Sequence, residues 1–386
     1  MPCAVRLVQN TQLRMTCAHD CDVVIVGGGI AGLATAVGLC NAGIRNIQVL
    51  EKAQSLRPVG AAIGLFPNGL RALQEVSEVV HKRVLHSSIV SIRSLLYDLS
   101  GALVKETDLA GQAPGSSRIT YLVWYLLQQY LSEELNSADS NILRLGTTVQ
   151  SFRQDNSGVI VRVSERGSGQ RTVKCRMLVG ADGIWSTVRT GMFIDETGTY
   201  PGVSGGAIQP VFHGKMMFRS VLPVDALDAG VCPPTGTSIA WSGDEEGKLF
   251  AFQETSQGLA TVTAMAKFAK ADSRNAPEER RQRLKELFSG YPANVHHILD
   301  RMDSDCIFEH AVYDIEVLPR WSEGCVVLIG DAAHAMTPGL GQVRTSQRFC
   351  MRLHMQTWLY VYSFVMCYVC QQLYLHAVLL LGLPVL

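Results

Sequence analysis

Short apolar runs dominate the hydrophobic pattern of this chain of 386 residues, and each run ends beside glycine or an acidic residue. Runs of this length with little polar alternation indicate strands that are buried on both faces of a sheet. Glycines at the ends of such strands are typical of turns that lead into helices, so the pattern predicts the α/β class. The four runs are Val23–Val26, Ile47–Leu50, Met177–Ala181 and Cys325–Ile329.

Alternating apolar and polar positions elsewhere predict strands that have one exposed face. Residues 158–163 and 172–179 flank the turn Gly167-Ser168-Gly169, which is typical of a hairpin. Residues 215–219 and 249–252 also alternate, so we expect an antiparallel sheet between about residues 200 and 310. Half of the side chains on such strands face their own core. Two positions are therefore open for Met217, Phe218, Phe250 and Phe252: the wall of a substrate pocket or the core of the sheet.

Apolar residues at helical spacing predict helices in four parts of the chain. The first helix follows the first apolar run, and Gly43 lies where a C-terminal glycine is expected. Another opens at the turn Pro67-Asn68. The predicted segments are 30–41, 70–76, about 112–135, and a charged segment from Lys267 onward.

A glycine-rich turn with GxGxxG spacing follows the first run. Gly27 permits the tight turn, Gly29 lets backbone N–H groups approach a pyrophosphate, and Gly32 lets the helix pack against the strand. Glu51 lies 19 residues after Gly32, where a carboxylate can accept hydrogen bonds from ribose hydroxyls. We therefore predict a dinucleotide site formed by Glu51, the adjacent Lys52 and the turn Gly27-Gly28-Gly29-Ile30-Ala31-Gly32.

Two further motifs follow the later apolar runs. Asp182-Gly183 comes after the third run, and Gly330-Asp331 comes after the fourth. An Asp-Gly turn alone is weak evidence for a ligand site, because such turns are common. The position of this turn directly after a buried strand makes the evidence stronger. Together with the glycine-rich turn, these motifs are interpreted as three contacts to one FAD.

The order of these motifs resembles that of the class A FAD-dependent monooxygenases, the aromatic-hydroxylase superfamily, and within it the plant-type zeaxanthin-epoxidase and salicylate-hydroxylase-like branch. The resemblance covers about residues 20–342. It implies a Rossmann-like FAD-binding domain with an inserted antiparallel substrate-binding domain. The implied FAD-binding domain comprises 20–85, 112–198 and 311–342, and the implied substrate-binding domain comprises 86–111 and 199–310.

The resemblance also assigns roles to residues. Asp182-Gly183 is similar to a site shared by FAD and the nicotinamide, with Arg189 in support. Asp331 is similar to an aspartate that binds ribityl or ribose hydroxyls, while His334 has a structural or a catalytic role.

Other residues take positions at the cofactor through the same resemblance. Relatives carry an arginine near the position of Trp124, and Arg118 is the nearby candidate in this chain. The remaining implied cofactor residues are Arg57 and Ala62 beneath the flavin, and Pro338 and Gly341 in a loop before a helix that faces it.

The activity implied by the resemblance is an FAD-dependent monooxygenation that uses NAD(P)H and O₂ through a C4a-hydroperoxyflavin. The implied substrate is a mostly apolar or aromatic small molecule, which the enzyme hydroxylates or epoxidises. Alternatives are a flavin-dependent reductase or dehydrogenase, and a truncated non-catalytic flavin-binding product. No catalytic acid or base is assigned, and the choice of NADH or NADPH and the oligomeric state remain open.

Charge and cysteine content narrow the class of protein. The formal net charge is zero and 18% of the residues are charged, which argues against a nucleic-acid partner. The 11 cysteines are an odd number scattered along the chain, so we expect free thiols in an intracellular, reducing compartment such as the cytoplasm or a plastid. The lone pair Cys367 and Cys370 does not indicate a metal site.

The two ends depart from the family pattern. Residues 1–19 are expected to be an N-terminal extension without a secretion signal. Residues 343–386 lack any acidic residue, and 353–386 carry no formal charge. Three interpretations of this apolar tail are open: translated intron sequence, a membrane contact through 353–386, or a buried helix pair.

Overall fold

The computed structural model describes residues 19–57, 62–110, 119–194, 208–228, 230–243, 247–273 and 276–337. The strands in these ranges are β1 (Cys21–Val26), β2 (Ile47–Glu51), β3 (Ala62–Leu65), β4 (Ile89–Val90), β5 (Arg93–Tyr97), β6 (Leu103–Asp108), β7 (Thr120–Val123), β8 (Leu143–Leu145), β9 (Thr147–Asp155), β10 (Gly158–Glu165), β11 (Gly169–Gly180), β12 (Val211–Pro223), β13 (Thr237–Ser242), β14 (Leu249–Glu254), β15 (Leu259–Lys267), β16 (Phe308–Asp314), β17 (Ser322–Glu323) and β18 (Val326–Leu328). The helices are α1 (Ile30–Asn41), α2 (Pro67–Val76), α3 (Glu78–Ser87), α4 (Trp124–Ala138), α5 (Thr187–Phe193), α6 (Pro277–Leu287), α7 (Ala293–Arg301) and α8 (Asp331–His334).

The four apolar runs form adjacent strands of an eight-stranded sheet. The order of its main path is β17-β18-β11-β1-β2-β8, and every pair from β18 to β8 is parallel. Val23 and Ile25 belong to one buried core, whereas Val24 and Val26 belong to another. Both faces of β1 are therefore buried, which confirms the α/β prediction from the uninterrupted run.

Helices cover one face of this sheet and a mixed layer covers the other. Leu33 of α1 and Leu131 of α4 pack in the same core as Ile25. On the opposite face, Val161 of β10 and Val188 of α5 pack in the core that contains Val24. The predicted hairpin is present, because β10 and β11 pair antiparallel across the turn at Gly167–Gly169.

A second, seven-stranded sheet has the order β16-β12-β15-β14-β13-β5-β6. Its pairs are antiparallel except for β13 and β5, which run parallel. Helices α6 and α7 cover one face, where Phe218, Phe250 and Phe252 lie fully buried in the core. These three phenylalanines are therefore core residues, whereas Met217 points to the opposite face because side chains alternate along a strand.

A third sheet has three strands, with β7 paired to β3 and β4. Strands β5, β6 and β12 to β15 of the seven-stranded sheet come from the segments predicted for the substrate-binding domain. Strand β16 begins at Phe308 and ends at Asp314, so the predicted boundary at residue 310 falls inside a strand.

Two helix predictions start in the wrong place. Residues 120–123 form β7, and the helix begins only at Trp124. The charged helix begins at Pro277 rather than near Lys267, because the residues up to Lys267 continue β15. In both cases pairing with a neighbouring strand, which the local pattern does not contain, takes precedence over helical spacing.

No helix in the described residues has the length and apolar character needed to cross a membrane. The apolar tail at 343–386 lies outside the described residues.

Candidate cofactor site

The sequence motifs meet at one edge of the eight-stranded sheet. Val26 at the end of β1 is in register with Gly180 of β11 and with Leu50 of β2, and Gly180 is in register with Leu328 of β18. The turns that follow these level strand ends carry the glycine-rich motif, Glu51, Asp182-Gly183 and Gly330-Asp331. In α/β sheets this carboxyl edge is where ligands bind.

The glycine-rich turn depends on close backbone approaches. Gly27 has a φ of 108°, and a Cβ placed on it would overlap the carbonyl oxygen of Ala181. A Cβ on Gly32 would overlap the carbonyl oxygen of Gly27. Gly27 therefore serves the turn and Gly32 the packing of α1, as the spacing predicts.

The start of α1 is open on the side where a ligand is expected. Gly29 precedes α1, and the first turn of α1 carries no acidic residue. Among the described residues, no side chain accepts a hydrogen bond from the N–H groups at the start of α1. A Cβ placed on Gly29 would meet no atom of the described residues within 4 Å. Free N–H groups at a helix N-terminus bind anions, so this surface fits the pyrophosphate of FAD.

Gly28 is held through both of its backbone polar groups. Its N–H donates to Glu51 Oε2 at 2.7 Å, and its carbonyl oxygen accepts from Gln128 Nε2 at 2.7 Å. The other Glu51 oxygen accepts from the N–H of Ala53 at 2.7 Å. Carboxylate oxygens have further lone pairs, so the predicted bond from Glu51 to a ribose stays compatible with these contacts and stays a prediction.

Gln128 is a site residue that the sequence analysis missed. It lies on α4 with only 7% of its surface exposed, between core residues Leu127 and Tyr130. A buried amide on the apolar side of a helix needs a hydrogen-bond partner. The position of Gln128 among apolar residues at helical spacing was the feature of the sequence that could have indicated its role.

Asp182 has a partner set within the protein. Its carboxylate accepts hydrogen bonds from Ser186 Oγ at 2.5 Å and from the N–H groups of Thr187 and Val188 at 2.7 and 3.1 Å. Asp182 thereby caps the start of α5, which is a structural role. The predicted contact of Asp182 to the cofactor stays a prediction.

Arg189 joins the second motif to the third. It is 1% exposed, and its guanidinium donates to the carbonyl oxygens of Ile208 and Ala332, each at 2.9 Å, and of Ile184. Burial lowers the pKa of Arg189, while the nearby Asp182 acts in the opposite direction. These three backbone contacts are compatible with the supporting role that the resemblance implies, and that role stays a prediction.

Asp331 begins α8, directly after the turn that follows β18. Gly330 precedes it with a φ of 56°, and a Cβ on Gly330 would come within 2.9 Å of Ala31 Cβ, so the third motif touches the first. The Asp331 side chain is exposed, yet surrounding protein removes enough hydration to raise its pKa. A carboxyl group that is both accessible and partly dehydrated is suited to a ligand that supplies hydroxyl donors.

His334 ends the same short helix. Its ring packs edge-on against Trp321 at 5.7 Å between centroids, and burial lowers its pKa. Its Nε2 atom is buried and has no hydrogen-bond partner in the described part of the chain. The choice between structural and catalytic roles for this histidine stays a prediction.

The other residues predicted to bind the cofactor do not lie in the three motifs. Lys52 and Arg57 are exposed on the segment after β2, and Ala62 begins β3, where its N–H lies 3.4 Å from Thr261 Oγ1. Arg118, Pro338 and Gly341 lie outside the described residues.

Comparisons with known proteins agree with this arrangement. The family described as FAD binding domain matches residues 20–342. The chain is 29% identical to a phenazine 1,6-dicarboxylic acid hydroxylase of Lysobacter antibioticus, over 84% of this chain and 79% of that protein. It is 27% identical to the chloroplastic zeaxanthin epoxidase of Spinacia oleracea over 83% of this chain, but it spans only 45% of that relative.

Solved structures share the fold at lower identity. Klebsiella pneumoniae HpxO complexed with FAD and uric acid matches with a TM-score of 0.70 and 23% identity, over 84% of this chain and 76% of that one. The p-nitrophenol 4-monooxygenase of Pseudomonas putida DLL-E4 matches with a TM-score of 0.71 and 20% identity, over 94% and 81% of the two chains.

Proposed function

Because this chain belongs to the FAD-binding-domain family of flavin monooxygenases, we propose that it uses NAD(P)H and O₂ to hydroxylate or epoxidise a mostly apolar or aromatic small molecule. FAD, when bound, supplies the redox chemistry that activates oxygen. The curated relatives include proteins named as a hydroxylase and as an epoxidase, which supports both outcomes as candidates.

The observation that carries this proposal is the meeting of three motifs at level strand ends. The open start of α1 fits a pyrophosphate, Glu51 lies at the end of the neighbouring strand, and Asp331 offers an accessible carboxyl group. The chain's own residues would bind and orient the cofactor, and the seven-stranded sheet would cover the reacting end and limit water. The oxygen-activation route and the nicotinamide donor predicted from the resemblance belong to this proposal.

The first experiment is the ratio of flavin to protein in the purified 386-residue chain. We expect close to one FAD per chain, followed by NADH or NADPH oxidation that a substrate accelerates. A folded chain that takes up no FAD, even when FAD is added, contradicts the proposal.

Oxygen labelling separates the monooxygenase from the reductase or dehydrogenase alternative. In ¹⁸O₂, a monooxygenase places one labelled atom in the product and the other in water. A product without label, formed with stoichiometric NAD(P)H oxidation, would identify a reductase or dehydrogenase instead.

A further inference from the structure

An exposed apolar surface follows the segment 313–321, which runs from the end of β16 to the start of β17. Val317 in this segment is 80% exposed, and Trp321 at its end is 40% exposed. At the other end, Tyr313 packs edge-on against Trp185, which is 60% exposed, with ring centroids 5.1 Å apart. These four residues are called the 313–321 surface below. Large apolar side chains that are exposed in a group mark places where a protein binds a partner.

The backbone of this segment is anchored to the rest of the protein. Leu318 is buried in the core that contains Val24, and Ile315 packs against the same core. The N–H of Ile315 donates to the carbonyl oxygen of Ala335 at 3.3 Å, and the carbonyl oxygen of Trp321 accepts from the N–H of Leu328 at 2.8 Å. The exposed side chains are therefore presented from a fixed backbone, so a partner would lose little free energy in ordering them.

Two groups of charged side chains that border the surface have partners within the protein. Arg320 donates to Glu323 Oε2 at 2.7 Å, and its guanidinium lies 4.9 Å from the centre of the Phe193 ring. Nearby, His213 Nδ1 lies 3.5 Å from Asp314 Oδ2. Because these groups are satisfied internally, the surface fits an apolar partner that carries no charge of its own.

The last described residues of the chain lie beside this surface. Ala335, which bonds to Ile315, is two residues before Thr337, where the described part of the chain ends. The preceding residue, His334, packs edge-on against Trp321 with ring centroids 5.7 Å apart. Residues 338–386 therefore continue from a point next to the 313–321 surface.

The segment 353–386 has the composition that the surface fits. It contains no aspartate, glutamate, lysine or arginine, and its apolar residues include Trp358 and Phe364. The fifteen residues from 338 to 352 connect it to Thr337 and can span at most about 50 Å. A short connection holds a segment near its binding surface at an effective concentration on the order of millimolar, well above that of a second chain in dilute solution.

We propose that the apolar segment 353–386 docks on the 313–321 surface of the same chain. Docking would remove the exposed side chains of Trp185, Val317 and Trp321 from water, which is favourable for apolar area. Because Trp321 packs against His334 in α8, the docked segment would also restrain the turn that carries Asp331. A membrane and a second copy of the chain are the competing partners for this surface.

Photo-crosslinking of the full chain tests which partner covers the surface. Val317→benzoylphenylalanine places the reactive group on an exposed side chain, so the substitution leaves the core intact. Val104→benzoylphenylalanine is the matched control, because Val104 is equally apolar and exposed but lies on β6, at the opposite edge of the seven-stranded sheet from β16. Both variants are irradiated with and without vesicles of phosphatidylcholine and phosphatidylglycerol, and the crosslinked peptides are identified by mass spectrometry. The readout requires neither FAD nor turnover.

We expect position 317 to crosslink to peptides from 353–386 within one chain, about 10-fold or more as often as position 104, because the segment is tethered at its surface. The yield should be the same with and without vesicles. A crosslink from position 317 to a second chain or to lipid, in place of 353–386, overturns the proposal. So does a yield from position 317 that is no higher than that from position 104.

Val317→Asp gives a second test on the full chain. A carboxylate on the surface opposes apolar contact, so we expect chymotrypsin to cleave within 353–386 about 10-fold faster than in the wild type, as loss of a buried valine contact predicts. Val104→Asp should be cleaved at the wild-type rate. Equal cleavage rates in the two variants would contradict docking at Val317. Thermal unfolding of both variants checks that faster cleavage is not caused by loss of the fold.

Discussion

Single hydrogen bonds decide how the glycine-rich turn is presented to a ligand. Glu51 orients the N–H of Gly28, and Gln128 orients its carbonyl group. The two contacts come from different elements and fix the plane of the peptides that precede α1. A substitution of Glu51 would therefore change the shape of the turn as well as any contact to a ribose, so loss of FAD binding in such a variant has two causes.

Gln128→Ala tests the second of these contacts. The variant leaves the Gly28 carbonyl oxygen buried without a donor, so we expect a loss of about 1–3 kcal/mol in the free energy of unfolding and weaker FAD binding. Gln129→Ala is the matched control, because the Gln129 side chain is exposed and donates to Glu133 at 2.7 Å on the same helix. Denaturant unfolding and FAD titration measure both effects. Equal stability and FAD affinity in the two variants would contradict the role of Gln128.

Asp331→Asn gives a prediction with a defined pH dependence. The folded state raises the pKa of Asp331, so the protonated form is favoured by folding and the ionised form opposes it. The wild type therefore loses stability as pH rises through this raised pKa. We expect the variant to unfold at a higher temperature than the wild type near pH 7, and the difference to shrink as pH falls toward the ordinary aspartate pKa of about 4.

The same Asp331→Asn variant should bind FAD more weakly, because an amide offers one acceptor oxygen instead of a carboxylate. A variant that is more stable and binds less FAD would identify Asp331 as a residue kept for the ligand. Unchanged FAD affinity would remove Asp331 from the cofactor site.

At the scale of elements, α5 connects two motifs that are far apart in the chain. Asp182 caps the first turn of α5, and Arg189 in the same turn donates to the carbonyl oxygen of Ala332 in α8. The turn after β11 and the turn after β18 are thus held by the same short helix. Displacement of α5 would change both motifs together.

Arg189→Met tests this connection. Three carbonyl groups would lose their donor in a buried environment, so we expect destabilisation of about 2–5 kcal/mol and loss of FAD binding. Arg171→Met is the control on the surface, where an exposed ion pair contributes about 0–1 kcal/mol. Thermal unfolding with and without FAD separates the two variants. A small effect of Arg189→Met, similar to that of Arg171→Met, would show that α5 does not hold the motifs together.

At the scale of the whole molecule, the cofactor would join segments that span most of the chain. The described contacts of the candidate site run from Gly27 to Asp331. A ligand that binds only the folded arrangement at 100 times its dissociation constant adds about 2.7 kcal/mol of stability. We therefore expect FAD to raise the unfolding temperature by several degrees, and AMP, which lacks the flavin and one phosphate, to raise it less. An equal shift with both ligands would mean that the flavin half is not bound.

The sequence by itself determined the features that depend on short stretches of chain. Uninterrupted apolar runs are buried on both faces wherever they lie, so β1, β2, β11 and β18 were predictable from their residues. The GxGxxG spacing specified a strand, a tight turn and a helix, because Gly27 and Gly32 serve close approaches within one turn. The family resemblance added FAD as the ligand.

Only the tertiary structure decided the features that depend on long-range pairing. The residues 120–123 became β7 because they pair with β3, and Phe250 and Phe252 joined a core because α6 and α7 cover that face of their sheet. Gln128 and Arg189 found their hydrogen-bond partners on segments distant in the chain. A local pattern indicates which side chains share a face, but packing of the whole chain determines what covers that face, so the partners of these residues are visible only in the fold.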